Sequence, residues 1–288
     1  MSFNKVKIGI FSFLIVLLLM PIGHALMVFT EIFFGDNKYL GAFVIGLLGV
    51  VLLLIGIRKQ RNPSTATILG LLAGILVWTG WVEFSFLWVA EKLHIPALME
   101  NGEIATKPEY LVMLSSIGLL STFGLLFLFS FTRCQFFNWW QRLLGIKHHI
   151  KPKTTSEKPI LLITFIETIM ILWTFYIVLL LVYDKDIAGD NHPMTYIVAF
   201  GSLFWSFYLI SKLLKIQIFD YAIRYAVPTV IIFWNFVEVM GRWNLLEEIW
   251  VEPFEHWIEI TIISSLFIAF LGYYVYENKK RKLHKTVI

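Results

Sequence analysis

One cysteine in 288 residues leaves no partner for an internal disulfide and no thiolate cluster for a metal. That residue, Cys134, reads as an interfacial thiol of no special role. Charge is scarce too: Asp, Glu, Lys and Arg together make 15% of the chain, where soluble domains carry about 25%. Catalytic signatures are also missing. There is no H-E-x-x-H, no G-x-S-x-G and no Gly-rich phosphate loop, so zinc-protease, serine-hydrolase and nucleotide-binding readings have no residues to carry them.

What fills the chain is apolar. Hydrophobic residues make 58% of it and the mean hydropathy is +0.74, far outside the soluble range. Crossing a hydrocarbon core of about 30 Å takes roughly 20 helical residues. Runs of that kind occur at 8 to 33, 39 to 57, 65 to 90, 109 to 132, 159 to 183, 194 to 214, 221 to 243 and 257 to 277. We therefore expect an all-α polytopic membrane protein with eight transmembrane helices. The first run is too long for a signal peptide and carries Pro21, His24 and Glu31 in its far half, so it reads as a retained span.

Basic residues set the orientation. Lys5 and Lys7, then Arg58, Lys59 and Arg61, then Arg133, Arg142, Lys147, Lys151, Lys153 and Lys158 fall on one side, with Lys212, Lys215, Arg224 and the tail from Lys279 to Lys285. Of the acids, only Glu157, Glu167, Asp220 and Glu277 share that half. The expectation is a multi-pass protein of the bacterial inner membrane with both termini cytoplasmic. The formal net charge of +4 averages two oppositely charged faces and gives no reason to expect nucleic acid; membrane lipids are the expected neighbours, with a homo- or hetero-oligomer left open.

The third run contains VWTGWVEFSFLW at 77 to 88, and the seventh contains IFWNFVEVMGRW at 232 to 243. Aligned on the acid, Trp78 meets Phe233, Trp81 meets Phe236, Glu83 meets Glu238 and Trp88 meets Trp243, an offset of 155. The turns GDNK at 35 to 38 and GDNH at 189 to 192 repeat at an offset of 154. Four spans thus map onto four, which predicts a tandem 4+4 repeat with a pseudo-two-fold axis along the membrane normal. On this reading residues 1–133 form the first half, 134–158 a cytoplasmic linker, 159–278 the second half and 279–288 a basic tail. In the linker, Phe136, Phe137, Trp139, Trp140, Leu143 and Leu144 recur at helical spacing beside Arg142, which predicts a short interfacial helix. His148 and His149 are adjacent, so they point to different sides of a helix and make a poor metal pair.

Ionisable groups inside spans are expensive, about 2.5 to 3.5 kcal/mol near a helix centre, so their default reading is functional. Here they gather in the exterior half. His24 and Glu31 stand seven apart on one helix face; Glu83 follows in the third span, then Asn235, Glu238 and Arg242 in the seventh, and Glu252, Glu255, His256 and Glu259 at the start of the eighth. Glu167 alone lies towards the other side. The bland alternatives are that Glu238 and Arg242, four apart, neutralise each other, that the acids around Pro253 suit a helix start, and that the tryptophans form an interfacial belt.

Glu83 and Glu238 are equivalent under the repeat and so are expected to face one another, where two carboxylates require a cation or a shared proton. With His24, Glu31, Glu255 and His256 they make a carboxylate and imidazole set suited to iron, manganese or zinc. A metal-dependent membrane oxidoreductase acting on a lipid-soluble or periplasmic substrate is the first functional expectation, with Glu83, Glu238, Asn235 and Arg242 at the chemistry and His24, Glu31, Glu83, Glu238, Glu255 and His256 as ligands. A haem held by His24 and His256 is a weaker variant. A cation- or proton-coupled transporter using the same acids is the alternative, and a non-catalytic membrane subunit or sensor the third.

Overall fold

A computed structural model describes residues 3–59, 62–100, 103–129, 135–146 and 160–286. Among them, seven helical segments are long and apolar enough to cross a membrane. The chain is an all-α membrane protein.

The first of these segments, Val6–Arg58, is not one rod. Helix α1 (Phe3–Phe34) ends at a 3-10 turn, Gly35–Asn37, and α2 (Lys38–Arg58) follows. Gly35 enters the turn at φ +48°, a left-handed backbone that glycine adopts without penalty. Met27 and Ala42 share a buried cluster with Phe84 and Leu87. In a straight helix they would stand about 22 Å apart at 1.5 Å per residue, so α2 runs back along α1.

The third run divides into α3 (Pro63–Val77), a wide π-helical turn at Trp78–Glu83, and α4 (Phe84–Lys92). An unexpected β-hairpin, β1 (Leu98–Glu100) with β2 (Glu103–Thr106), then leads into α5 (Pro108–Met113), a 3-10 turn and α6 (Ile117–Phe129). The amphipathic helix is present as α7 (Gln135–Leu143). Phe136 and Phe137 pack on Phe175, Trp205 and Phe127, and the Gln141 side-chain amide donates to the carbonyls of Phe127 and Leu128, which the end of α6 would otherwise leave open. Cys134, His148 and His149 lie outside the described residues. Beyond them come α8 (Ile160–Tyr183), α9 (Pro193–Leu213), α10 (Phe219–Arg242) and α11 (Trp257–Thr286). The last helix continues through the basic stretch expected to be a separate tail.

Four helices make the interior. α1 packs on α10 as α8 packs on α3, α2 lies on α3 as α9 lies on α10, and α3 and α10 meet between them. In the apolar window of α10 67% of residues are buried, against 11% in α11, so α10 is central and α11 peripheral. Small residues allow the closest approaches: a Cβ on Gly80 would stand 2.5 Å from the amide nitrogen of Gly46, so α2 and the π turn touch backbone to backbone. Outer faces carry exposed Ile197, Phe204, Leu126 and Ile268, as lipid-facing surfaces do.

Candidate functional site

The carboxylates of Glu83 and Glu238 are each held by an indole one helical turn earlier on the same helix. Trp234 Nε1 donates to Glu238 Oε1 at 2.5 Å across an ordinary α-helical spacing of four. Trp78 Nε1 donates to Glu83 Oε1 at 2.8 Å across a spacing of five. A spacing of five matches the i→i+5 bonding of a π-helix, and Trp78–Glu83 is such a turn. Trp78 thus holds its acid as Trp234 does, one position away from the pairing of Trp78 with Phe233 in the sequence alignment.

Two further side chains join the carboxylates. The Tyr176 hydroxyl on α8 lies 3.0 Å from Glu83 Oε1 and 3.0 Å from His24 Nε2 on α1, and that nitrogen is 3.7 Å from Glu238 Oε1. The result is a chain of four groups, Glu83, Tyr176, His24 and Glu238, contributed by four helices. At 1.5 Å per residue these groups stand roughly 6 to 15 Å inside the C-terminal ends of their helices.

Hydrogen counting shows what the chain can do. His24 Nδ1 faces the Met20 carbonyl at 2.9 Å, and a carbonyl only accepts, so Nδ1 carries a hydrogen. Tyr176 has one proton for two neighbours. In one arrangement it donates to Glu83 and receives the Nε2–H of an imidazolium. In the other, a protonated Glu83 donates to Tyr176, which donates to neutral Nε2. The two arrangements differ only by protons displaced along existing hydrogen bonds. Aromatic rings surround these groups: His24 stacks on Tyr176 and Trp234 with Trp250 tilted against it, and Tyr176 stacks on Tyr110 with Trp78 tilted against it. Beside them is a cavity with about 20 Å³ for the centre of a water molecule, enough for roughly one water and too little for an organic substrate.

Glu248, in the loop after α10, closes the site from that side. Its carboxylate packs where a Cβ on residue 241 would stand, which explains Gly241. Burial, with Glu238 close by, pushes the Glu248 carboxyl up to about 7, against the pull of His24 and Arg242.

Arg242 does not neutralise Glu238. Its Nε donates to Asp190 Oδ1 at 2.5 Å, its Nη1 to Thr106 Oγ1 at 3.2 Å, and the guanidinium lies 4.4 Å over the Tyr183 ring. Trp243 Nε1 donates to the Asp190 carbonyl, so the end of α10 is clasped to the turn before α9. A second clasp joins α2 to α4: Lys38 and Tyr39 at the start of α2 both bond Glu91 near the end of α4, at 2.5 Å.

Of the residues expected at the site, His24, Glu83 and Glu238 come together. Asn235 is buried and donates to Ser202 Oγ at 3.4 Å, tying α10 to α9. Glu31 stays half-buried near the end of α1 and takes no part in the relay. Glu252, Glu255 and Glu259 are exposed, and His256 pairs with Glu247 at 3.5 Å. Glu167 is buried on α8, nine residues before Tyr176. Among the described residues no three His, Cys, Asp or Glu side chains group closely enough to hold a metal ion. His24 and Glu83 fit the iron, manganese or zinc expectation poorly, because their facing atoms are engaged with Met20, Trp78 and Tyr176. Tyr176 was missed because it bears no charge; its one signal is a hydroxyl deep in an apolar run, two residues from the place equivalent to His24.

No protein family matches the chain, and neither a curated protein nor a solved structure matches it.

Proposed function

We propose that the protein is a proton-coupled membrane transporter whose proton-binding site is the Glu83–Tyr176–His24–Glu238 relay. The observation that carries this reading is the Tyr176 hydroxyl at 3.0 Å from both Glu83 and His24, with His24 Nδ1 already committed to Met20. A hydroxyl between an acid and an imidazole passes a proton without moving a heavy atom far. The neighbouring cavity has room for a water and none for a substrate, which favours proton handling over chemistry on an organic molecule at this place.

The reading includes eight membrane crossings, the first helical segment counting as two, in a tandem 4+4 arrangement. Supporting it are the exchanged packing of α1 on α10 and α8 on α3, and the paired Trp–Glu turns. A site where two parallel repeats meet is where carriers of that construction bind their coupling ions. The basic residues favour cytoplasmic termini in a bacterial inner membrane, with the relay in the exterior leaflet.

The test is proton binding by purified protein in nanodiscs, titrated potentiometrically beside Glu83→Gln, Glu238→Gln, His24→Gln and Tyr176→Phe, with metal analysis of the same samples. The expected outcome is a proton-binding step that both Glu83→Gln and His24→Gln remove, in metal-free protein. Stoichiometric metal lost in Glu83→Gln and Glu238→Gln would instead restore the metalloenzyme reading, and identical titrations in all samples would favour a non-catalytic subunit.

A further inference from the structure

Apart from the relay, a cavity of about 290 Å³ lies where the β-hairpin and α5 meet the end of α8. None of the four relay groups lines it. Its volume sits near the lower end of small-molecule sites, about 300 to 1,000 Å³. Leu98, Leu111, Leu114 and Leu180 give it an aliphatic lining. The turn Asp184-Lys185-Asp186, where two carboxylates flank one ammonium, also lines it. Asp184 Oδ1 accepts the Asp186 backbone N–H at 2.9 Å, which fixes the turn that presents both acids.

Of the cations nearby, Lys107, next to Thr106, is electrostatically engaged with Glu109 and Glu83. Arg242 reaches the same wall, through Thr106 and the face of Tyr183, but its charge is matched by Asp190 at 2.5 Å. A ligand that fits must therefore offer an apolar body to the leucines and a positive head to the acids.

We propose that this cavity binds a cationic amphiphile, a primary ammonium held at Asp184 and Asp186 with a short alkyl chain against the leucine wall. The site stands whether or not the relay moves protons. Two sources supply this chemistry: a free alkylamine, or the ethanolamine head of a membrane lipid.

The test is equilibrium dialysis of radiolabelled n-hexylammonium against the full chain in phosphatidylcholine nanodiscs, with n-hexanol and n-hexanoate as chain-matched probes. The expected result is saturable binding of the ammonium near one per protein, with hexanol weaker and hexanoate unbound. The Asp184→Asn/Asp186→Asn variant, whose changes fall on exposed or half-exposed side chains, should weaken the ammonium about ten-fold, and Leu111→Trp should fill the cavity and abolish binding of both probes. No saturable binding, equal affinity for hexanol, or an unchanged Asp184→Asn/Asp186→Asn variant would overturn the proposal. Repeating the dialysis in phosphatidylethanolamine nanodiscs separates the sources: displacement of the amine assigns the site to the lipid head, undiminished binding to a free amine, and either keeps an ammonium site.

Discussion

Replacing Tyr176 by Phe removes one oxygen and leaves a ring to stack on Trp78, Tyr110 and His24. The oxygen stands 3.0 Å from two groups on different helices, so its loss opens both junctions at once. Interhelical hydrogen bonds within membranes are worth only about 0.6 kcal/mol on average in double-mutant cycles. The relay requires more, because in its ionised arrangement each junction has a charged partner, and hydrogen bonds to charged groups contribute about 1.5 to 3 kcal/mol. The measurement is a cycle of Tyr176→Phe, Glu83→Gln and the double variant, each unfolded reversibly by denaturant in mixed micelles at neutral pH. We expect a Tyr176–Glu83 coupling of roughly 1.5 to 3 kcal/mol. A coupling near 0.6 kcal/mol or below would mean that the hydroxyl joins neutral groups at that pH, and would refute the ionised arrangement there.

Glu248 gives a pH dependence of defined sign. Its folded carboxyl is pushed up to about 7 from an ordinary 4.5, so the folded state binds the extra proton between those values and stability falls as pH rises through that window. Glu248→Gln should flatten this fall by at most roughly 3 kcal/mol, measured as the difference in unfolding free energy between pH 4.5 and pH 8; an unchanged slope would place the titration elsewhere. Arg242→Ala leaves Asp190 partly buried without its cation and should cost roughly 2 to 5 kcal/mol in the same unfolding assay, with Arg242→Lys failing to restore it because an ammonium cannot stack on Tyr183 and fork to two acceptors. Full stability in Arg242→Lys would show that only the charge counts. Gly80→Ala must push α2 away from the π turn, since the new Cβ meets the Gly46 nitrogen and the Ala42 carbonyl; about 1 to 3 kcal/mol of lost stability is expected, and no loss would show that α2 moves freely.

The membrane class and most of the spans were legible because lipid imposes one long-range rule, roughly 20 apolar residues per crossing. The hairpin at Leu98–Thr106 was passed over although Asn101-Gly102, a hairpin dipeptide, stands between its strands, because strands of three and four residues are too short to show a clear alternation. Within the site, Glu83, Glu238 and His24 were visible as charges that an apolar run would otherwise reject. Their connector was not. A tyrosine amid Ile, Leu and Val reads as one more membrane aromatic until a neighbouring helix supplies its partners. The Asp190 partner of Arg242 was not legible, because helical spacing offers Glu238 as one alternative while Asp190 sits in a turn that only tertiary folding brings near. The π turn left a single trace: Trp78 and Trp234 differ by 156 positions while Glu83 and Glu238 differ by 155.

That trace bears on how the relay acquires direction. On the proposed duplication, each half contributes a Trp-capped glutamate and the first helix of the opposite half contributes its partner, His24 to Glu238 and Tyr176 to Glu83. Two identical partners would give the proton no preferred end. Here one end is a phenol that donates to its glutamate at 3.0 Å, and the other an imidazole standing 3.7 Å from its own, beyond hydrogen-bond length. The Glu83 side is continuous and the Glu238 side has a gap, bordered by the loop that carries Glu248. A small approach of α1 to α10 would close that gap and complete the path from one carboxylate to the other. On the proposed function, the α1–α10 interface is where proton position would act on helix packing, because His24 and Glu238 face each other across it.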